Sequence, residues 1–433
     1  MYVRIGNAKY TKIKNLDFAP ETDVTGSKIP INEFTVDIIT DDDIRNGATA
    51  ALYDDLDQLW AKYWVTYAER MDRDTVQVRA QSRLILLGRR TMPAVRYSGS
   101  AVPDVMADIF APLGAGAYTL DSAFAAKTIN GFCPEQSARE RLLWVCFVIG
   151  AYVKTYFTDK IEILPIDETE TTVPLERTYW KPSVTYRDHV TAVKATAYSF
   201  RQGTPQTTDK WVTDGTDYYI VTEQAYTLSN PDAPPTAEEN VISVDGLMLI
   251  NAGNVDEVLS HLAKYHFKRT SMEFDCINNG EYEPGQKLTG YPDEEQLLTG
   301  FAESCSFTFG LQAKSKIVLT ACEDKAGARL IIQYVHGNTQ IGKRTYYFPI
   351  GYQYAIQNPY LDWSMGDHRY IFRPENEAAT GTIAAGSQTN QQPYAVALDL
   401  NKKTHVLKIV SVDSITEEER SSGDRTIRVG VIA

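Results

Sequence analysis

Histidines, cysteines and paired carboxylates are the residues of this chain whose spacing could support chemistry. Six histidines are present: His189, His261, His266, His336, His368 and His405. Two ligands on one helical face need a spacing of four, whereas His261 and His266 are five apart with no second Cys or His beside them. No metal centre is expected. The chain has no GxSxG nucleophile elbow, Walker loop, HExxH, or GxGxxG following a strand, so hydrolase, kinase and dehydrogenase chemistries lose their usual support. Five cysteines, Cys133, Cys146, Cys276, Cys305 and Cys322, are scattered without a CxxC pair and read as small core residues, not a disulfide framework. No catalytic, cofactor-binding or metal-ligating residue is predicted, and no cofactor.

Carboxylates cluster at Asp41-Asp42-Asp43, Asp54-Asp55-Asp57 and Glu417-Glu418-Glu419. A calcium loop would need a far bidentate Glu, which the stretch from Asp41 to Gly47 lacks, so these read as solvated acidic loops. Aromatic residues gather at Trp60, Tyr63, Trp64 and Tyr67, and again at Tyr346, Tyr347, Phe348, Tyr352, Tyr354, Tyr360 and Trp363. Asp362-Trp363 and Asn358-Pro359-Tyr360 have the composition of a sugar-binding surface. Sheet packing and cross-strand pairing are the favoured explanation for both clusters.

The elements that must carry these residues are mostly strands. With 433 residues, 43% hydrophobic and 23% charged, the chain has the composition of a folded protein of about three domains. Its 26 Tyr against 15 Phe suit β-rich surfaces on which the hydroxyl stays wet. A net charge of −13 argues against wrapping nucleic acid, which needs concentrated Lys and Arg. No run of 18 apolar residues exists, and the start, MYVRIGNAKYTKIKN, lacks a signal-peptide h-region. The protein is therefore expected to be made and kept in a cytosol, or to leave it by another route.

Residues 1–98 read as β, with Phe34 to Ile39 alternating and a hairpin closed at Met71-Asp72-Arg73-Asp74. Val102, Val105, Met106, Ile109 and Phe110 form one face of a short helix ending near Pro112 and Gly114. Ser137 and Glu140 form a capping box, and the apolar run LLWVCFVIGAYV predicts a buried helix continuing to Val153. Asp167 to Pro182 is a polar connector. Strands resume at Val190 to Phe200 and in DYYIVTEQAYTL, Asn230 to Asn240 is an exposed loop, and Asn254 with Glu257 caps a further helix. Leu298 to Glu323 repeats the plan of Trp64 to Ser82: a strand carrying Glu303 or Glu69, a turn, then an alternating strand. Beyond Arg329 the segments LIIQYV, TYYFPIGYQY, YAVALDL, HVLKIVSVD and TIRVGVIA read as strands, with a loop from Ala378 to Gln392.

The order of these segments resembles the tail hub proteins of bacteriophages and related contractile injection machines. The residues that carry the resemblance are Glu140, Leu143, Phe147, Ile149, Gly150 and Ala151 in the buried helix, then Asp159, Lys160 and Ile161 at the start of the strand DKIEILPI. It spans residues 30 to 325. The resemblance implies a mainly β fold with α insertions (α+β): two tube-type antiparallel β-barrels, a small helical domain between them and a C-terminal β domain. The expected boundaries are 1–98, 99–172, 173–324 and 325–433.

The function implied is a structural virion component. It would be a homotrimeric tail hub at the distal end of a phage tail, assembled in the bacterial host cytoplasm. Its partners would be the distal tail protein ring, the tape-measure protein, and tip, spike or central fibre proteins. DNA would pass through the lumen without specific binding; the acidic loops at Asp41–Asp43 and Asp54–Asp57 are the candidates for its wall, each able to project inward or towards a neighbouring subunit. The rival readings are a tail tip adhesin for host glycan and a tail-associated cell-wall endopeptidase; the lack of catalytic residues weighs against the second.

Overall fold

The computed structural model describes residues 1–114, 116–174, 177–179, 182–292, 297–309 and 313–324, and beyond these only the backbone of eight strands between Gly337 and Ile432. The chain divides into two compact units, residues 1–290 with 298–323, and residues 291–297 with 324–433. In the second unit every strand pair among the described residues is antiparallel. Gly337–Ile341 pairs with Arg344–Tyr346 and with His368–Phe372, and two hairpins follow at Tyr394–Leu398/Leu407–Ser411 and Ile415–Ser422/Arg425–Ile432. Glu417–Glu419 thus lie in a strand, not in the expected acidic loop: the β-branched residues of the sequence around them, Ile415, Thr416, Val429 and Val431, favour an extended backbone over a turn. LIIQYV, most of TYYFPIGYQY and the loop from Ala378 to Gln392 lie outside the described residues.

The first unit is built on one thirteen-stranded sheet. Its N-terminal strands are β1 (Tyr2–Ile5), β2 (Ala8–Tyr10), β3 (Ile13–Phe18), β4 (Glu33–Ile39), β5 (Thr49–Tyr53), β6 (Leu59–Arg70) and β7 (Thr75–Gln81). Strand β4 shows why they form. Phe34, Val36 and Ile38 are fully buried while Glu33, Thr35, Asp37 and Ile39 face the other way, the period-two pattern of a sheet with one covered face. The expected hairpin closes as predicted, with the Met71 amide donating to the Thr75 carbonyl at 2.9 Å. Later strands of the same sheet are β8 (Ser183–Tyr186), β9 (Thr270–Ile277), β10 (Lys287–Gly290), β11 (Leu298–Thr308) and β12 (Lys314–Asp324), with Glu170–Thr172 beside β10.

Four helices accompany these strands among the described residues: α1 (Leu84–Leu87), α2 (Val102–Phe110), α3 (Ala138–Ile149) and α4 (Val255–His266). Helix α1 interrupts the stretch read as wholly β. Its Leu84 and Leu87 are buried in the same core as α2 and α3, so tertiary burial turns a single helical turn out of the strand run. Helix α3 opens with the predicted capping box, the Ser137 hydroxyl accepting from the Glu140 amide at 3.2 Å and the Glu140 carboxylate accepting from the Ser137 amide at 3.0 Å. It stops four residues earlier than the apolar run suggests. Gly150 takes the left-handed conformation at φ 70°, and Ala151–Lys154 then leaves as a strand.

The Asn254 cap is also corrected: its side chain turns backward, accepting from the Asn251 amide at 2.8 Å and donating to the Leu249 carbonyl at 3.0 Å, so no capping box forms. The short loop before α4 uses the amide to hold its own turn.

Two cores result. One collects Val105, Phe110, Leu142 and Val145 of α2 and α3 with Val193 and Ala195 of the strand Ala192–Gln202 and Val258 and Leu262 of α4. The other is shared by the early and late strands of the large sheet, from Val36, Trp60 and Val78 to Phe274, Phe307 and Ile317.

Candidate functional site

The side chains with chemical potential are kept apart. His261 lies against the Thr25 carbonyl at 3.3 Å and between the rings of Phe147 and Tyr265, where burial lowers its pKa; burial lowers His266 as well. His189 instead meets the Arg269 guanidinium at 2.6 Å. His336, His405 and the side chain of His368 lie outside what the structure describes. Among the described residues no three His, Cys, Asp or Glu side chains assemble as a metal site. All five cysteines are buried with unpaired thiols, and burial pushes Cys133 and Cys322 up to about 12. Such thiols are poor nucleophiles. A recess of 250 Å³ at the C-terminal end of α3 and the N-terminal end of α4 brings Lys127 and Glu257 to one wall with Asn130 and Asn251, without a nucleophile beside a base.

The two acidic loops of the N-terminal strands stand at opposite ends of β6, about 35 Å apart along a strand that rises about 3.3 Å per residue. At one end Arg70 closes the loop after β4. Its guanidinium donates to the carbonyls of Thr40, Asp41 and Asp42 at 3.1, 3.1 and 2.9 Å and lies 3.7 Å from the Asp43 carboxylate. At the other end Asp54 accepts from the amides of Leu56 and Gln58, both at 2.8 Å, Asp55 pairs with the N-terminal ammonium, and Asp57 accepts from the Tyr2 hydroxyl. Both loops are tied structures with carboxylates turned to water. Of the first aromatic cluster, Trp60 and Tyr63 are core residues, while Tyr67 is 40% exposed. The second cluster lies outside the described side chains.

What the first unit does bring together is a repeated strand plan. The early strands run in the order β3-β4-β7-β6-β5, and the late ones in the order β8-β9-β12-β11-β10, each built around a long hairpin, β6–β7 or β11–β12. The match extends to single hydrogen bonds. Gly47, at φ 89°, donates to the Val65 carbonyl at 2.8 Å while the Val65 amide donates to Ala48 at 2.9 Å. Gly285, at φ 88°, donates to Ala302 at 2.7 Å while the Ala302 amide donates to Gln286 at 2.9 Å. Only glycine holds that conformation cheaply.

The two sets join edge to edge. Phe18 pairs with Phe307, the Cys305 amide donates to the Pro20 carbonyl at 3.0 Å, and the Thr22 amide donates to the Glu303 carbonyl at 2.8 Å. Asn32 holds the segment from behind, accepting from the Glu21 amide at 2.7 Å and donating to its carbonyl at 3.0 Å. Phe18, Trp60, Phe157 and Phe307 pack over the join, with Trp60 and Phe307 centroids 4.8 Å apart. Sequence reading found both hairpins but missed this seam. The available signal was a glycine standing 18 residues before Val65 and another 17 before Ala302.

No protein-family model and no curated protein matches the chain. Solved structures do. The 43 kDa tail protein of prophage MuSo2 from Shewanella oneidensis aligns at TM-score 0.52 and 9% identity, over 74% of this chain and 97% of its own. A tail protein from Neisseria meningitidis MC58 aligns at TM-score 0.49 and 12% identity, over 76% and 96%. The prophage tail protein gp18 from Listeria monocytogenes EGD-e gives 0.49 and 9%, over 74% and 94%. At such identities the likeness is one of fold, and the fold of this chain is that of phage tail proteins.

Proposed function

We propose, from that shared fold, that the chain is a structural component of a phage tail: a homotrimeric hub at the distal end, joining the tail tube to the tip or spike and lining part of the channel for tape measure and DNA. The observation that carries this reading is the single sheet running through two strand sets of one plan. Two like modules per chain turn three chains into six like positions, which suits a part placed between a six-fold tube and a three-fold tip. The proposed domains are the two strand sets as tube-like barrels, the helices between them, and a separate β region after residue 324. The distal tail ring, tape-measure protein and tip proteins are the proposed partners, and the tail tip of the virion is the proposed location.

The balance of −13 fits a channel wall that repels phosphate. Catalysis is not part of the proposal, because no nucleophile–base pair stands together among the described residues. Electron microscopy and mass measurement of the assembled tail tip test the reading: three copies in one ring are expected, and two, four or six copies would refute it.

A further inference from the structure

We propose that the outer edge of Thr66–Arg70 is a docking strand for Val184–Asp188 of a second copy of this chain, paired antiparallel in the register that joins Phe18–Thr22 to Glu303–Phe307 within one chain.

The register comes from the repeated hydrogen bonds. The Gly47 and Gly285 bonds make Val65 the counterpart of Ala302, so Thr66–Arg70 corresponds to Glu303–Phe307. Across the other strands, Phe18 pairs with Phe34 and Phe34 with Ala80, while Val184 pairs with Met272 and Met272 with Leu319. Val65 pairs with Ala80, and a Cβ on Gly300 would lie 2.6 Å from the Cys322 sulfur and 2.7 Å from the Thr320 carbonyl, which sets Ala302 against Leu319. Phe18 therefore corresponds to Val184, and Phe18–Thr22 to Val184–Asp188. In the late set the half of β11 beyond Ala302 is covered by Phe18–Thr22. In the early set, among the described residues, the half of β6 beyond Val65 has β7 on one side and no strand on the other. Among the described residues, strand β8 likewise has β9 on one side and no strand on the other. One chain thus carries one filled seam and one of each unfilled edge. Two different edges of this kind on each copy make a head-to-tail contact, the kind that builds a ring where its rotation closes and a filament where it does not.

The side chains suit a second copy. The Glu21–Ser304 bridge places Arg187 opposite Tyr67, a guanidinium against a ring that is 40% exposed. Tyr186 is 62% exposed, and Glu69 and Arg70 on one edge face a segment carrying Arg187 and Asp188 on the other. Where the filled seam has Phe18 and Phe307, the open one has Val184 and Arg70, so the open seam is the more polar of the two. Such an edge stays soluble when alone and pairs weakly until a ring closes.

The inference rests on the hub reading, and one experiment separates them. The full chain carrying Tyr67→Cys and Arg187→Cys, concentrated to millimolar and oxidised with copper–phenanthroline, should give an interchain 67–187 disulfide, identified by peptide mass mapping. Either single substitution should give at least tenfold less product. Adding Ala68→Pro, which removes the amide matching that of Cys305, should lower the double variant's yield at least tenfold while its thermal unfolding stays cooperative. Absence of the 67–187 product overturns the pairing, whether the chain stays single or associates through another surface. A 67–187 product in a ring of other than three chains supports the pairing and removes the trimeric hub; a three-chain ring lacking it does the reverse.

Discussion

Arg141 is a cation with 1% exposure and, among the described residues, no carboxylate within ion-pair distance. Its Nη2 donates to the carbonyls of Pro93 and Pro134 at 2.5 and 3.2 Å, closing the loops before and after the strand pair Val95–Ala101/Thr128–Cys133. Arg141→Met keeps the volume and strands those carbonyls, so stability should fall by about 2–4 kcal/mol, read by urea unfolding. An unchanged midpoint would mean that water replaces the guanidinium. His261 makes a pH-dependent contribution. Burial holds its folded pKa below the ordinary 6.5, so the unfolded chain takes the proton first. Its contribution to stability is complete above that value and is lost as pH falls through the lowered folded pKa. Stability measured at pH 7.5 and 5.5 should fall with acid, and His261→Gln should flatten the slope; an identical slope assigns the effect to His266 or to carboxylates.

At the scale of elements, the paired glycines give a matched test. A Cβ on Gly285 would meet the Tyr152 ring at 2.8 Å, whereas on Gly47 the nearest atom is in Trp64 at 3.8 Å. Both substitutions force alanine into the left-handed region, at about 1–3 kcal/mol. Gly285→Ala adds a clash, and should therefore lower the melting temperature clearly more than Gly47→Ala. Equal losses would show that Tyr152 moves aside freely. Phe147→Ala on α3 should cost about 3–5 kcal/mol, since the ring is 6% exposed and packs against His261 and Gly26.

The hairpins, the α2 face and the Ser137 cap were legible because each is set by residues near one another in the chain, Trp64 and Gln81 at the open end of the first hairpin being 17 apart. The seam was not, because Phe18–Thr22 meets Glu303–Phe307 across most of the chain and contains Pro20, which reads as a breaker. The end of α3 was misread for a similar reason: the apolar period continues through Ala151–Val153, and only Gly150 marks the change from helix to strand. Which way the two acidic loops project was not legible either, because that depends on the strands that carry them, and one long strand sets the loops at its two ends.

For the whole molecule, the charge argument now concerns loops at opposite ends of the N-terminal strands, so their effects should separate. Asp42→Lys and Asp55→Lys, made one at a time in assembled particles, are expected to differ, with DNA release slowed by whichever loop borders the channel. Equal, normal release from both would show that neither does. The chain alone should leave no cleared zone on a peptidoglycan gel. A zone lost on changing one Asp or Glu would make it a hydrolase.

The stretch between β8 and β9, which holds a four-stranded sheet and α4, has as its counterpart between β3 and β4 only the loop from Ala19 to Asn32. One module is ornamented and its twin is plain. Around any closed ring the ornament recurs once for every two modules, so a bare rim would present the full count to one neighbour and the decorated rim half of it to another. Fusing unequal twins in one polypeptide fixes that alternation at translation, so no sorting step is needed to keep plain and ornamented modules in turn.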